Sequence, residues 1–121
     1  MAESIQPSEK LRTALRGFPE SAVLACAEYQ ATGDLAAFDR AVIGLVEHHL
    51  SPPPPQPLAT YPGSTPLVAE LGLDSITMVE LVFLFEDVFG AKLPQEKLIA
   101  VVTLDDLRTL LHRHLPPFPP A

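Results

Sequence analysis

The sequence has few of the residues that cross-link a chain or anchor it to a membrane. Its 121 residues include a single cysteine, Cys26, so no disulfide can form within the chain. The amino terminus lacks the charged-then-apolar pattern of a secretion signal. The longest apolar runs, LVFLF and LIAVV, are too short to cross a bilayer. These absences predict a cytoplasmic protein without membrane insertion, in which Cys26 is a small packed side chain.

Positive charge is also scarce. The chain has 8 Lys and Arg against 15 Asp and Glu, which gives a net charge of −7. No Lys or Arg occurs between Arg40 and Lys92. Several acids fall within that stretch: Glu70, Asp74, Glu80, Glu86 and Asp87. Such a surface repels the phosphates of nucleic acids and anionic lipids, so it predicts basic protein partners and no nucleic acid.

Proline is abundant but confined to a few segments. Of the 14 prolines, seven lie between Pro52 and Pro66 and four lie in the tail PPFPPA. The remaining sequence has helical patterns with almost no strand alternation. We therefore predict a helical extension over residues 1–33, a helical bundle over 34–115 with a proline-rich loop at 51–66, and a proline-rich tail at 116–121. The run SPPPPQP indicates a stiff connector, with a ligand for a proline-binding domain as the alternative.

The segment from Ser75 to Phe89 predicts a helix with two apolar faces. Steps of about 100° per residue place one broad apolar arc toward the core. The opposite arc holds Ile76, Val79 and Phe83, and three carboxylates surround them: Glu80, Glu86 and Asp87. An apolar strip with a charged rim is typical of a docking surface. The alternative is that the N-terminal extension covers the strip.

Ser75 lacks the neighbours of a catalytic nucleophile. The sequence around it is not G-x-S-x-G, and the four histidines lie at helix ends far along the chain. No Cys, His or carboxylate spacing completes a metal site. Asp74 and Ser75 are both suitable N-caps, so one of them is free for another role. A helix N-terminus accommodates phosphate, so Ser75 is well placed to carry a phosphoester that another enzyme attaches.

The run LVAELGLDSITMVELVFLFEDVFGAKLPQEKLIAVVTLDDLRTLL resembles the acyl carrier proteins of fatty acid and polyketide synthesis. The matching features are LG-x-DS, VELV after the serine, the ED pair, F-G, Pro-x-Glu and the Thr-capped last helix. With the helix at 34–50 as the family's first helix, the resemblance covers about residues 35–115. It implies an all-α fold, a small four-helix bundle with additional N-terminal helices here, and a carrier rather than an enzyme.

The resemblance also implies a prosthetic group and its surroundings. Ser75 would be esterified by 4′-phosphopantetheine, delivered from coenzyme A by a separate Mg²⁺-dependent phosphopantetheinyl transferase, and Asp74 matches the preceding aspartate. The arm's thiol would hold acyl groups as thioesters. The face that meets partner enzymes would comprise Ile76, Val79, Glu80, Phe83, Glu86 and Asp87. The cleft that shelters an acyl chain would be formed near Leu81, Phe85, Leu98 and Val102. The partners implied are a ketosynthase, an acyltransferase or other acyl-processing enzymes with basic docking patches.

Two residues depart from the family pattern. Thr77 lies where many members have an acid, and Lys97 lies in a third helix that is commonly acidic, which indicates a partner set different from that of the housekeeping fatty acid synthase. The Met start and proline-rich finish indicate a freestanding carrier in fatty acid, polyketide or specialised lipid synthesis. Alternatives are a peptidyl or aminoacyl carrier, which Asp74 and the acidic helix disfavour, and an unmodified helical adaptor that binds through Ile76, Val79 and Phe83.

Overall fold

The fold is all-α, as predicted. A computed structural model describes residues 5–116 and Phe118, so most of the predicted tail at 116–121 and the first four residues of the extension lie outside the described residues. The described part of the chain contains no strand. Its six α-helices are α1 (Glu9–Ala14), α2 (Glu20–Thr32), α3 (Leu35–His48), α4 (Ser75–Phe89), α5 (Gln95–Leu98) and α6 (Leu104–His114). None of the helices in these residues is long and apolar enough to cross a membrane.

Local sequence signals determine where the longer helices begin and end. Helix α2 follows Pro19 and ends at Gly33, whose φ of 72° is left-handed. The Asp34 side chain accepts a hydrogen bond from the amide of Ala36 and so caps α3. Helix α4 ends at Gly90, which has a φ of 68°. A left-handed residue closes a helix without the steric cost that a side chain would bring, so glycine is favoured at both ends.

A reciprocal capping box begins α6. The amide of Asp106 donates to the Thr103 hydroxyl, and the Asp106 carboxylate accepts from the amides of Val102 at 3.0 Å and Thr103 at 3.1 Å. These backbone hydrogen bonds favour the charged carboxylate and lower the pKa of Asp106 below its ordinary value of 3.8. The contribution of the capping box to the stability of α6 therefore depends on pH.

Acid is expected to remove the contribution of Asp106 to folding. Because the pKa is lower in the folded state, this contribution is fully present above about pH 4 and is lost as the pH falls through the folded-state value. Asp106→Asn should therefore lose less of its thermal stability than the wild type between about pH 6 and about pH 3. Circular dichroism melts would measure this, with Asp39→Asn, at an exposed position on α3, as the control. Identical pH dependence in wild type and Asp106→Asn would contradict the assignment.

The core joins α3, α4 and α6. The buried face of α3 includes Phe38, Val42 and Leu45, each 3% exposed or less. The ring of Phe38 lies 6.1 Å from Phe89 of α4, and α6 buries Leu107 in the same cluster. Removing these side chains from water is the main favourable contribution to folding. Together with the short α5, these helices form the predicted four-helix bundle.

The N-terminal extension packs onto this bundle as part of the same core. The Tyr29 ring of α2 lies 5.1 Å from Phe38 and 5.8 Å from Phe89. Helices α2 and α3 approach closely at Gly44, where an added Cβ would lie 3.1 Å from Cβ of Ala22. This close approach explains a glycine in the middle of α3, where it lowers helix propensity. The extension therefore contributes to the hydrophobic core and to the stability of the fold.

The extension reaches the end of α4 that is remote from Ser75. The Gln30 amide group donates a hydrogen bond of 2.6 Å to the backbone carbonyl of Val88 in the last turn of α4. Leu11 and Leu15 of the first helical segment are buried, and α1 packs against α4. Val88 lies 13 positions after Ser75, which corresponds to about 20 Å along an α-helix. The extension therefore contacts α4 about 20 Å from Ser75, and other segments surround the Ser75 end of the helix.

The chain between α3 and α4 is attached to the start of α6. Pro66 and Thr103 form an isolated antiparallel bridge, and the amide of Leu67 donates to the carbonyl of Val102 at 2.8 Å. The amide of Asp105 donates to the Gly63 carbonyl at 2.9 Å. A side chain on Gly63 would collide with the carboxylate of Asp105, so a larger residue there would force that exposed side chain to move. The attachment fixes the segment that leads into α4.

The proline run is anchored at both of its ends. Leu50 and Leu58 are 6% and 0% exposed, and the Leu58 amide donates to the Glu47 carboxylate at 2.8 Å. The prolines between them are exposed or half-buried. Two buried anchors that flank an exposed run agree with a connector between α3 and the rest of the bundle.

Candidate functional site at the N-terminus of α4

Asp74 and not Ser75 caps α4. An oxygen of the Asp74 carboxylate accepts a hydrogen bond of 2.7 Å from the amide of Thr77. This hydrogen bond is the main reason why the pKa of Asp74 lies below its ordinary value of 3.8. Ser75 is then the first residue of the helix. Its side chain is exposed, and no hydrogen bond with other described residues engages its hydroxyl.

A tight turn directs the chain into α4. Gly72 has a φ of 72°, and its amide donates to the carbonyl of Val68 at 3.1 Å. The amide of Leu73 donates to the carbonyl of Leu67, also at 3.1 Å, and the Leu73 side chain is 2% exposed. A buried leucine two positions before Ser75 fixes where the helix begins. The turn and the buried leucine thus hold the start of α4 against the core, with Ser75 exposed at the surface.

The predicted docking strip lies on the surface. Ile76, Val79 and Phe83 are 71%, 49% and 62% exposed, and the N-terminal extension packs elsewhere. Glu80 and Asp87 are exposed beside the strip. Glu86, also placed at the rim from the sequence, is half-buried, and its carboxylate accepts a hydrogen bond of 3.3 Å from the amide of Leu93.

An apolar cleft opens beside Ser75. Its volume is about 330 Å³. Besides Asp74 and Ser75, all of its lining residues are apolar: Leu67, Val68, Leu73, Met78, Val79, Val82, Leu98 and Val101. A cleft lined this way favours an aliphatic group over a polar one, because its walls offer few hydrogen-bonding partners.

The structure places the four residues assigned to an acyl cleft in three different environments. Leu98 lines the cleft beside Ser75. Leu81 and Phe85 are buried in the core, at 1% and 0% exposure, whereas Val102 is 57% exposed. None of these three lines the cleft.

Sequence reasoning missed Met78 and Val82, the α4 residues of the core face that line the cleft. The helical period contained the signal for both. On the wheel they lie about 60° and about 20° from Ser75, whereas Leu81 and Phe85 lie further round. The contributions of Leu67, Leu73 and Val101 have no such local signal.

The residues at this site fit a phosphopantetheine group. The hydroxyl is exposed, the preceding aspartate already serves as the cap, and the amino end of a helix favours the negative charge of a phosphodiester. The adjacent cleft has room for an apolar group. No rearrangement of the described backbone is needed to reach Ser75 from solvent, since the residue is exposed.

Residues 60–111 match the family model for the phosphopantetheine attachment site. The match spans α4, α5 and most of α6, together with the segment that leads into α4. This match supports a carrier domain of the acyl carrier family, the kind of domain to which 4′-phosphopantetheine is covalently attached. No curated protein and no solved structure matched the chain.

Proposed function

We propose that this protein is an acyl carrier that bears 4′-phosphopantetheine on Ser75. The observation that carries the proposal is the exposed Ser75 hydroxyl at the first position of α4, beside an apolar cleft. When bound, the group supplies a terminal thiol on which acyl chains are held as thioesters. The protein itself acts as a carrier in fatty acid, polyketide or specialised lipid synthesis, and separate enzymes perform the chemistry.

The cleft supports an acyl cargo over an aminoacyl one. An amino acid brings a charged ammonium group, which loses hydration in a cleft whose walls are almost entirely carbon. An aliphatic chain gains about 0.8 kcal/mol for each methylene removed from water. Loading the protein with fatty acyl or aminoacyl groups and comparing the thermal stability of the products would separate the two classes. The acyl proposal requires larger stabilisation by the fatty acyl group.

The surface of α4 supports transient docking of basic partner enzymes. The strip of Ile76, Val79 and Phe83 provides an apolar contact, and Glu80, Glu86 and Asp87 provide charge. An exposed ion pair contributes only about 0.2–1 kcal/mol and is weakened by salt. Contacts of this strength steer encounter without long residence, which suits a carrier that visits several enzymes.

Intact mass spectrometry tests the proposal directly. The protein is incubated with coenzyme A, Mg²⁺ and a broad-specificity phosphopantetheinyl transferase, and its mass is measured before and after. We expect one phosphopantetheinyl group per chain, located by peptide mapping on the segment that contains Ser75. An unchanged mass would instead favour the adaptor that binds partners through its α4 strip without modification.

Charge reversal at Glu80 should weaken docking without affecting the fold. Glu80 is exposed next to the apolar strip, and Glu80→Lys would place a positive charge against a basic partner. We expect kcat/KM for modification by the transferase to fall by about tenfold, mainly through KM, which corresponds to about 1.4 kcal/mol. Asp39→Lys makes the same charge change at an exposed position on α3 and should have a small effect. Equal losses in the two variants would show that only net charge matters.

A further inference from the structure

Helix α1 and the turn after it concentrate positive charge in an acidic chain. Three of the eight Lys and Arg residues, Lys10, Arg12 and Arg16, lie in this short stretch. Arg12 forms two hydrogen bonds of 3.1 Å with the carboxylate of Glu20, so its charge is already matched. Lys10 and Arg16 are exposed, and neither forms an ion pair within the described part of the chain.

A groove of about 1220 Å³ separates these two basic residues from the acidic end of α4. Lys10 and Arg16 lie on the α1 side together with Glu9, and Glu86 and Asp87 lie on the α4 side. The α1 side therefore carries one net positive charge and faces two carboxylates. A positive side chain near a carboxylate reduces the attraction of that carboxylate for a basic partner.

The position of α1 is held by apolar contacts that do not involve Lys10 or Arg16. Leu11 and Leu15 are 3% and 1% exposed in the core. The helix is thus a fixed wall beside the last turn of α4, and a partner that approaches Asp87 meets it. Glu86 is further withdrawn, because its carboxylate accepts a hydrogen bond from the amide of Leu93. The first half of α4, with Ile76 and Glu80 exposed, has no such neighbour among the residues that line this groove.

We infer that the N-terminal extension screens the C-terminal end of α4, so that basic partner enzymes dock on the half of the helix that bears Ser75 and Glu80. The inference rests on the proposed function, because it concerns the enzymes that dock on α4. It gives the extension a second role besides packing. It also means that the predicted docking acids contribute unequally to partner binding. Glu80 contributes most, and Asp87 contributes little because Lys10 and Arg16 lie across the groove from it.

A double-mutant cycle on the full chain tests the inference, with the phosphopantetheinyl transferase as the probe. The variants are Lys10→Ala/Arg16→Ala, Asp87→Lys, and their combination, and the readout is kcat/KM for modification at low and high salt. We expect Lys10→Ala/Arg16→Ala to raise kcat/KM by about threefold at low salt, and the gain to vanish near 0.5 M salt, where screening is strong. The loss caused by Asp87→Lys should be about threefold larger once the two cations are removed.

A matched variant separates local screening from net charge. Arg40→Ala/Arg113→Ala makes the same change in net charge at exposed positions, and neither these residues nor Glu28, the ion-pair partner of Arg40, line the groove. We expect this control to leave the effect of Asp87→Lys unchanged. Additive effects in the cycle, or an equal gain in the control, would overturn the inference while leaving Ser75 modification intact. Absence of modification in the unmutated chain would overturn the proposed function and the inference together.

Discussion

Replacing Ser75 by alanine should abolish modification by the transferase completely. The substitution removes the only atom that can form the phosphoester at the start of α4, and no neighbouring hydroxyl has the same position. Thr77, the next hydroxyl on the helix, lies two residues on and about 160° around the axis. The measurement is intact mass after incubation with coenzyme A, where the wild type gains one group and Ser75→Ala gains none.

The same variant should fold normally. Asp74 supplies the cap hydrogen bond to the amide of Thr77, and the Ser75 hydroxyl has no hydrogen bond to described residues. An exposed substitution of this kind usually changes stability by less than about 0.5 kcal/mol. Ser64→Ala, at an exposed position in the matched domain, is the control and should be modified like the wild type. A Ser75→Ala protein that still gains mass would refute Ser75 as the attachment residue.

Replacing Leu15 by alanine should lower the stability of the fold more than any other substitution proposed here. Leu15 is 1% exposed and follows α1 directly, so its removal leaves a cavity in a core shared with α4. Large-to-small changes at such positions cost about 2–5 kcal/mol, which is a large part of the stability of a domain of this size. Chemical denaturation followed by circular dichroism should show one cooperative transition with a markedly lower midpoint.

A matched leucine in the same extension provides the control. Leu24 on α2 is 44% exposed, so Leu24→Ala removes the same atoms without opening a buried cavity. We expect its unfolding midpoint to stay close to that of the wild type. If Leu15→Ala were equally mild, or if unfolding separated into two transitions, the extension would be an appendage and not part of the bundle.

Local interactions made the helices and the proposed attachment residue predictable from the sequence. Pro19, Gly33, Asp34, Gly90 and Thr103 each mark a helix end through backbone geometry or a cap hydrogen bond that involves residues at most four positions away. The same holds for the pair at positions 74 and 75. A cap needs one side chain, so two capping residues in succession predict that one hydroxyl or carboxylate remains free. The structure assigns the cap to Asp74.

Helical periodicity alone does not predict which residues form the cleft. The period of α4 places Met78, Val79 and Val82 within about 60° of Ser75, but the opposite wall comes from Leu67, Leu73, Leu98 and Val101. Those residues lie in turns and short segments, whose directions depend on the bridge between Pro66 and Thr103. No local pattern specifies such a bridge.

The sequence alone determined the all-α fold, the ends of the longer helices and the presence of an exposed serine beside an acidic, apolar helix face. These features depend on hydrogen bonds and side-chain periods that extend over a few residues. Only the tertiary structure decided that the extension joins the core at the far end of α4, that Glu86 turns toward Leu93, and which side chains enclose the cleft. Those outcomes depend on how apolar faces distant in the chain fit together, and many pairings of such faces share the same local pattern.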